Sequence, residues 1–310
     1  MKKSVIFIMI VCALAVGLFL YFGREAEEEI SYSVNDTLPD GGGRKATVIL
    51  LGGQSNASGC SRDDYLKQNV SEDKYSEYES GYDNIYINYF ATGTNRSDEF
   101  VKCAARQGEA GGFFGPELGM AERLNELYPD ELFFIIKWAW GGSDLNTNWR
   151  PKSSFGKTGS MYNHFVQYVE TSIEYLVSKN YDIKIEGMCW MQGESDSVYT
   201  ISTMFYEYNL KNFISDVRCE FGDYADDDGM AFIDAYIADD IIFWVHADRV
   251  NNAKYSVSQT SPMNAVVETT GNGLTCTEEP IDSPDLAHFD SISQIELGHL
   301  FADSLSSFMN

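Results

Sequence analysis

The chain has 310 residues, 44% of them hydrophobic, 14% aromatic and 22% charged, the balance of an ordinary globular domain with a short appendage. Disorder, collagen and coiled coil are excluded. With 22 Lys and Arg against 47 Asp and Glu, the formal net charge is −25, so nucleic-acid phosphates and anionic lipid head groups are repelled, while a neutral partner such as a sugar polymer is not.

Lys2 and Lys3 precede an uncharged apolar run from Val5 to Phe22, and Arg24 is the first charge beyond it. Residues 1–23 therefore read as a signal peptide or an N-terminal membrane anchor. The run exceeds the usual h-region of about 7–15 residues and reaches the lower edge of the roughly 17–25 that span a bilayer, which favours an uncleaved anchor. Ala13-Leu14-Ala15 is a cleavage candidate, but it lies inside the run; Val11 is too bulky to precede a lipidated Cys12. Lysines ahead of the run hold the N terminus inside, so either version puts the remaining chain outside the cytoplasm. Residues 24–45 combine an acidic cluster, Pro39 and Gly41-Gly42-Gly43 and read as a tether that buries too little apolar surface to order itself. The domain proper is expected over 46–310.

From Ala46 onward short apolar runs alternate with helix-like stretches, the signature of a three-layer α/β/α sandwich around a parallel sheet. The expected strands are Thr47–Leu51, Asn84–Phe90, Leu132–Trp138, Ile183–Met191 and Met230–Ala235, about five in one sheet. The expected helices are Pro116–Leu127, Tyr162–Ser178, Thr203–Phe221 and Ser293–Phe308. The segment Gly53–Asp83 shows no clear regularity and follows the first strand, where such folds place ligands. Outside the apolar run lie Cys60, Cys103, Cys189, Cys219 and Cys276. An odd count leaves at least one free; Cys189, in an apolar strand, is expected as a buried thiol, and the other four are able to form two bridges.

Four motifs fall at the expected carboxyl ends of strands or just before the last helix. Gly52-Gly53-Gln54-Ser55-Asn56 sets a serine on a glycine-rich turn after a buried strand, with backbone N–H groups nearby for an oxyanion. By itself it is also an ordinary polar turn. Trp138-Ala139-Trp140-Gly141-Gly142-Ser143 offers backbone at a glycine turn, with Trp138 read as core. In Trp190-Met191-Gln192-Gly193-Glu194-Ser195-Asp196, Gln192 is positioned as a neutral amide donor; Glu194 and Asp196 read first as loop-holding groups, with binding of substrate hydroxyls as the alternative. Asp285-Leu286-Ala287-His288-Phe289 places an aspartate one turn from a histidine, able to accept its Nδ1–H and leave Nε2 for a nucleophile. His164, His246 and His299 lack such a companion. The acidic run Asp223–Gly229 lacks the alternating ligands of a calcium loop and reads as a solvated turn.

The order of these motifs resembles the SGNH-type hydrolases, and within them the sialate O-acetylesterase and carbohydrate esterase family 6 group, through GGQSN, Gly-Gly-Ser, WMQGESD and DLAHFD. Ala57 and Met191 depart from methionine and histidine, which are frequent there, and leave substrate detail open. The resemblance implies a serine esterase without cofactor or metal, acting on acetylated carbohydrate such as sialic acid or xylan. Ser55 would be the nucleophile, His288 the base and Asp285 its orienting partner. The Ser55 N–H, Gly142 and Gln192 would form the oxyanion hole, and Gln54, Asn56 and Glu194 are substrate-binding candidates. Acceptor recognition is expected in the loops Cys60–Tyr82 and Gly93–Phe114. The alternatives are an esterase of another short acyl ester and a catalytically silent carbohydrate-binding module, since fold alone does not fix function.

Overall fold

Val48, Ile49, Leu50 and Leu51 are all fully buried, which requires cover on both faces and so a central parallel strand. β1 (Lys45–Gly53) occupies that place in a computed structural model that describes residues 31–309 apart from 93–94. In chain order follow α1 (Ser55–Ser58), β2 (Ser61–Arg62), α2 (Asp63–Asn69), α3 (Glu72–Ser80), β3 (Ile85–Ala91), β4 (Asn95–Arg96), β5 (Val101–Lys102), β6 (Phe113–Phe114) and α4 (Glu117–Leu127). The second half holds β7 (Phe133–Ala139), α5 (Ser160–Ser178), β8 (Asp182–Met191), α6 (Glu194–Val198), α7 (Thr200–Phe221), β9 (Ala231–Ala235), α8 (Ala247–Ser258), β10 (Asn264–Val267) and α9 (Ser291–Ser306).

The parallel strands run in the order β10, β9, β8, β1, β7, β3, with β4 and β5 antiparallel on the β3 edge and β2 paired separately with β6. All five expected strands are present within one or two residues at each end. β10 was missed because Asn264–Val267 is short and only half-buried. The sheet therefore has one more parallel strand than expected.

Alternation along β7 defines the two helical layers. Lys137 reaches Glu117 of α4 on one face, while its neighbour Trp138 stacks on His164 of α5 on the other. α9 packs on α4 through two glycines: a Cβ on Gly119 would lie 2.0 Å from the Ile295 carbonyl oxygen, and one on Gly298 2.3 Å from that of Pro116. α5 and α7 meet through Tyr162–Phe213 and Phe165–Phe221 edge contacts.

Two expectations are corrected. The described part of the 24–45 stretch is docked rather than loose: Tyr32 accepts a hydrogen bond from Trp138 Nε1 (3.0 Å), Leu38 is buried, and the Thr37 and Leu38 N–H groups donate to Tyr175 Oη. Composition averaged over the stretch hides these two apolar anchors. All five described cysteines are thiols, so the two bridges do not form. Cys60 donates to Glu109 and Cys103 to the Glu117 carbonyl instead, and Cys189 is buried as expected. The apolar run Val5–Phe22 and Cys12 lie outside the described residues; among the described ones no helix is long and apolar enough to cross a membrane.

Candidate active site

β1 ends at Gly53, whose φ of +141° and a Met191 carbonyl oxygen 2.0 Å from any Cβ admit only glycine. The chain then turns sharply, stitched on both sides: the Gln54 N–H donates to Met191 O (2.9 Å), and the Trp140 N–H donates to Gly53 O (3.0 Å). Ser55 opens the single turn α1 and stays half-exposed while Asn56, Ala57 and Ser58 are buried. No hydrogen bond within the described residues uses the Ser55 N–H or hydroxyl.

The histidine loop is built around Asp285. Its Oδ1 accepts the Ala287 N–H (2.7 Å) and the His288 N–H (2.8 Å), and its Oδ2 lies 2.7 Å from His288 Nδ1. Leu286 takes φ +62° to close this turn, a conformation that costs an ordinary residue about 1 kcal/mol or more and that recurs at functional sites. Burial alone would raise the Asp285 pKa, but the His288 hydrogen bond and charge outweigh it and the net shift is downward. For His288, desolvation pulls the pKa down, while Asp285, then Glu194 and Glu109, push it up, and the net shift is upward. An imidazole held at Nδ1 by a carboxylate presents Nε2 as a base once neutral.

Asn56 joins the two loops. Its Nδ2 donates to Glu194 Oε1 (2.7 Å) and more weakly to Ala287 O (3.4 Å); its Oδ1 accepts the Phe289 N–H (3.1 Å), and its backbone oxygen accepts from Gln294 Nε2 (2.8 Å). The residue after Ser55 is thereby fastened to the residues on either side of His288. Ser55 and His288 themselves share no hydrogen bond in this ligand-free structure, as is common before substrate aligns them.

Three assignments from the sequence change. Gln192 is fully buried, and its Nε2 is spent on Asp196 Oδ2 (2.7 Å), Ser143 O (3.1 Å) and Gln54 Oε1 (3.3 Å), while Tyr206 Oη donates to its Oε1. No N–H is left for an oxyanion. Gln54 is equally internal, its Oε1 accepting the Gly193 and Ser195 N–H groups, and Asn56 is the buried clamp just described, so neither faces substrate. Strand-end position suggested an outward amide; the neighbouring turns bring partners close enough to take it inward. Glu194 is also buried, with Oε2 lacking a partner among the described residues, and burial raises its pKa against the opposing Asn56 bond. Asp196 has the loop-holding role: it accepts the Leu145 and Asn146 N–H groups, and burial lifts its pKa to about 7.

Gly142 lies on the neighbouring turn with φ +68° and no heavy atom within 4 Å of an added Cβ, so only backbone conformation requires glycine here. Its N–H makes no hydrogen bond within the described residues. The turn is held by Thr92, whose Oγ1 accepts the Gly141 N–H (2.5 Å) and pairs with Ser58 Oγ (2.9 Å). Thr92 and Glu109 belong to none of the four sequence motifs. Both lie in or beside the Gly93–Phe114 loop expected to recognise the acceptor, where the Gly-rich QGEAGG stretch is the one local signal.

His299 pairs with Glu122 (2.9 Å) and His246 with Thr200, away from Asp285. A cavity of about 700 Å³ opens at the amino ends of the strands, lined by Arg44, Asp130, Asp182 and Lys184, at the opposite sheet edge from Ser55. Its size does not make it the site. Among the described residues no cluster of three or more His, Cys, Asp or Glu is arranged to hold a metal ion.

NanS superposes with a TM-score of 0.62 at 16% identity, covering 88% of this chain and 98% of its own. A protein from Arabidopsis thaliana gives 0.61 at 17%, covering 87% and 99%, and a carbohydrate acetylesterase from Xanthomonas citri gives 0.56 at 17%, covering 84% of this chain and 56% of its own. At such identities these likenesses establish the α/β fold. No curated protein matches the sequence significantly. The model of the family described as "Carbohydrate esterase, sialic acid-specific acetylesterase" matches residues 45–307, the whole sheet together with both loops of the site, and the chain belongs to that family of carbohydrate esterases.

Proposed function

We propose that the protein is a serine O-acetylesterase of carbohydrates. The observation that carries this reading is the Asp285–His288 pair fastened through Asn56 to the Ser55 turn. Neutral His288 takes the Ser55 hydroxyl proton at Nε2 as Oγ bonds to the acetyl carbonyl carbon. The carbonyl electron pair moves onto oxygen, where the Ser55 and Gly142 N–H groups stabilise it. Collapse breaks the ester bond, and His288 returns the proton to the departing sugar oxygen, leaving acetyl-Ser55. Water, deprotonated by the same imidazole, then bonds to the acetyl carbon; the Oγ–acyl bond breaks as His288 returns the proton to Ser55 Oγ, and acetate leaves. Asp285 holds the ring and stabilises its charged form throughout.

We propose further that the enzyme acts outside the cytoplasm, with residues 5–22 as a signal or anchor. Two lysines before the run and an acidic stretch after it support this. The chemical reading is tested by acetate release from an acetylated oligosaccharide with wild type and Ser55→Ala. A folded Ser55→Ala protein of undiminished activity would remove Ser55 from the mechanism.

A further inference from the structure

Three strand ends lie level at the edge of the sheet that carries Ser55. The pairing sets Gly53 of β1 and Ala91 of β3 opposite the same residue, Ala139 of β7, so the Gly142 turn leaves the sheet between the Ser55 turn and Thr92. Its two glycines give it little hold of its own, since glycine restrains the backbone least and no heavy atom lies within 4 Å of a Cβ added at Gly142. Hydrogen bonds supply the hold. On the β1 side the Trp140 N–H donates to Gly53 O (3.0 Å), and at the far end buried Asp196 accepts the Leu145 and Asn146 N–H groups (2.8 and 3.2 Å). On the β3 side Thr92 Oγ1 accepts the Gly141 N–H (2.5 Å), one residue before the Gly142 N–H. The same Oγ1 shares a hydrogen bond with Ser58 Oγ (2.9 Å), which also accepts the Thr92 N–H (3.1 Å). Ser58 is fully buried and closes α1, the single turn that Ser55 opens. One hydroxyl is thus bonded both to the turn carrying Gly142 and to the turn carrying Ser55.

We propose that Thr92 is a positioning residue for acetyl transfer: its hydroxyl, bonded to Gly141 and Ser58, fixes the Gly142 N–H relative to the Ser55 turn so that the two backbone donors meet the oxyanion together. The role rests on the serine esterase reading above and adds to it a residue that touches neither substrate nor the reacting atoms. A backbone N–H stabilises the developing charge only when it is held within hydrogen-bond reach of the place where the oxyanion forms, and a displacement of about 1 Å costs on the order of 10²-fold in rate. The same two donors serve attack on the ester and attack of water on acetyl-Ser55. Loosening them therefore slows both steps together, which lowers kcat whichever step limits and leaves KM nearly where it was.

The test measures kcat and KM on 4-nitrophenyl acetate and on an acetylated oligosaccharide, with the melting midpoint, for wild type, Thr92→Val, Thr92→Ser and Ser58→Ala. Thr92→Val keeps the side-chain shape and leaves the Gly141 N–H without its acceptor; it should lower kcat roughly 10- to 100-fold while KM stays within about twofold. Thr92→Ser keeps the hydroxyl and should recover most of that loss. Ser58→Ala removes the other end of the link and should lower kcat several-fold, and combining it with Thr92→Val should cost little more than Thr92→Val alone, because both changes break one connection. A Thr92→Ser loss as large as that of Thr92→Val overturns the proposal by tracing the effect to packing rather than to the hydroxyl. Should Thr92→Val fail to fold, Ser58→Ala decides, and an unchanged kcat there overturns the proposal. Turnover of neither ester by wild type removes the esterase reading and this inference together. Wild-type turnover with an undiminished kcat in folded Thr92→Val removes this inference alone, even where the melting midpoint falls, since a residue that only stabilises the fold would lower that midpoint and spare kcat.

Discussion

His288 accepts a proton only when neutral, and Asp285, Glu194 and Glu109 hold it in the charged form to higher pH against the opposing pull of burial. The kcat/KM profile should therefore rise with pH through a midpoint above the ordinary imidazole value of about 6.5. Asp285→Asn removes the charge that raises the midpoint, so the limb should move to lower pH as the rate falls; a limb that stays in place would show that Asp285 does not set it. Gln192→Ala separates two roles. As a buried hub bonded to Asp196, Ser143 and Gln54, Gln192 should cost about 1–3 kcal/mol of stability when truncated, read as a lower urea midpoint. A loss of about 10²-fold in kcat with unchanged stability would instead restore it as an oxyanion donor. At this scale the sequence was informative where chemistry is local: Asp285 and His288 share one turn, and Ser55 follows a glycine fixed by backbone geometry. It was misleading for Gln54, Asn56 and Gln192, because whether a strand-end amide faces the cleft depends on turns from elsewhere in the chain.

Elements with a strong apolar period were legible and polar ones were not. β1, β3, β7, β8 and β9 and helices α4, α5, α7 and α9 follow from buried runs and one-sided stripes. α2, α3 and α8 went unrecognised; α3 buries only Tyr75 and Tyr78 and is held at its start by the Ser71 side chain accepting the Lys74 N–H (3.2 Å). Two polar or close contacts between elements carry predictions. Lys137 of β7 and Glu117 of α4 are fully buried and 2.7 Å apart, so Lys137→Ala should cost about 3–5 kcal/mol by stranding a carboxylate, whereas Lys137→Met combined with Glu117→Leu should recover much of that loss. Chemical denaturation of the single and double variants distinguishes a stranded charge from lost packing, since equal losses in both would point to packing. Gly298→Ala places a methyl group against the Pro116 carbonyl and should lower the melting temperature by forcing α9 from α4; an unchanged melting temperature would contradict that close approach.

For the whole molecule, the alternation of strands and helices was enough to give the three-layer architecture, because each buried parallel strand needs a crossover to reach the next. The docked Tyr32–Arg44 stretch was hidden by its polar average. The location proposal follows from charge and length: N-terminal sequencing of membrane and medium fractions should find an intact Met1-Lys2-Lys3 start in the membrane fraction, and a mature chain beginning near Arg24 would replace the anchor with a cleaved signal. The central claim is that Ser55 carries the acetyl group between sugar and water. Rapid quenching during turnover of an acetyl ester, followed by peptide mass spectrometry, tests it most directly. The peptide containing Ser55 should gain one acetyl group, absent in Ser55→Ala; acetate release with no acetylated Ser55 peptide, or with the acetyl group on another residue, would contradict this role for Ser55.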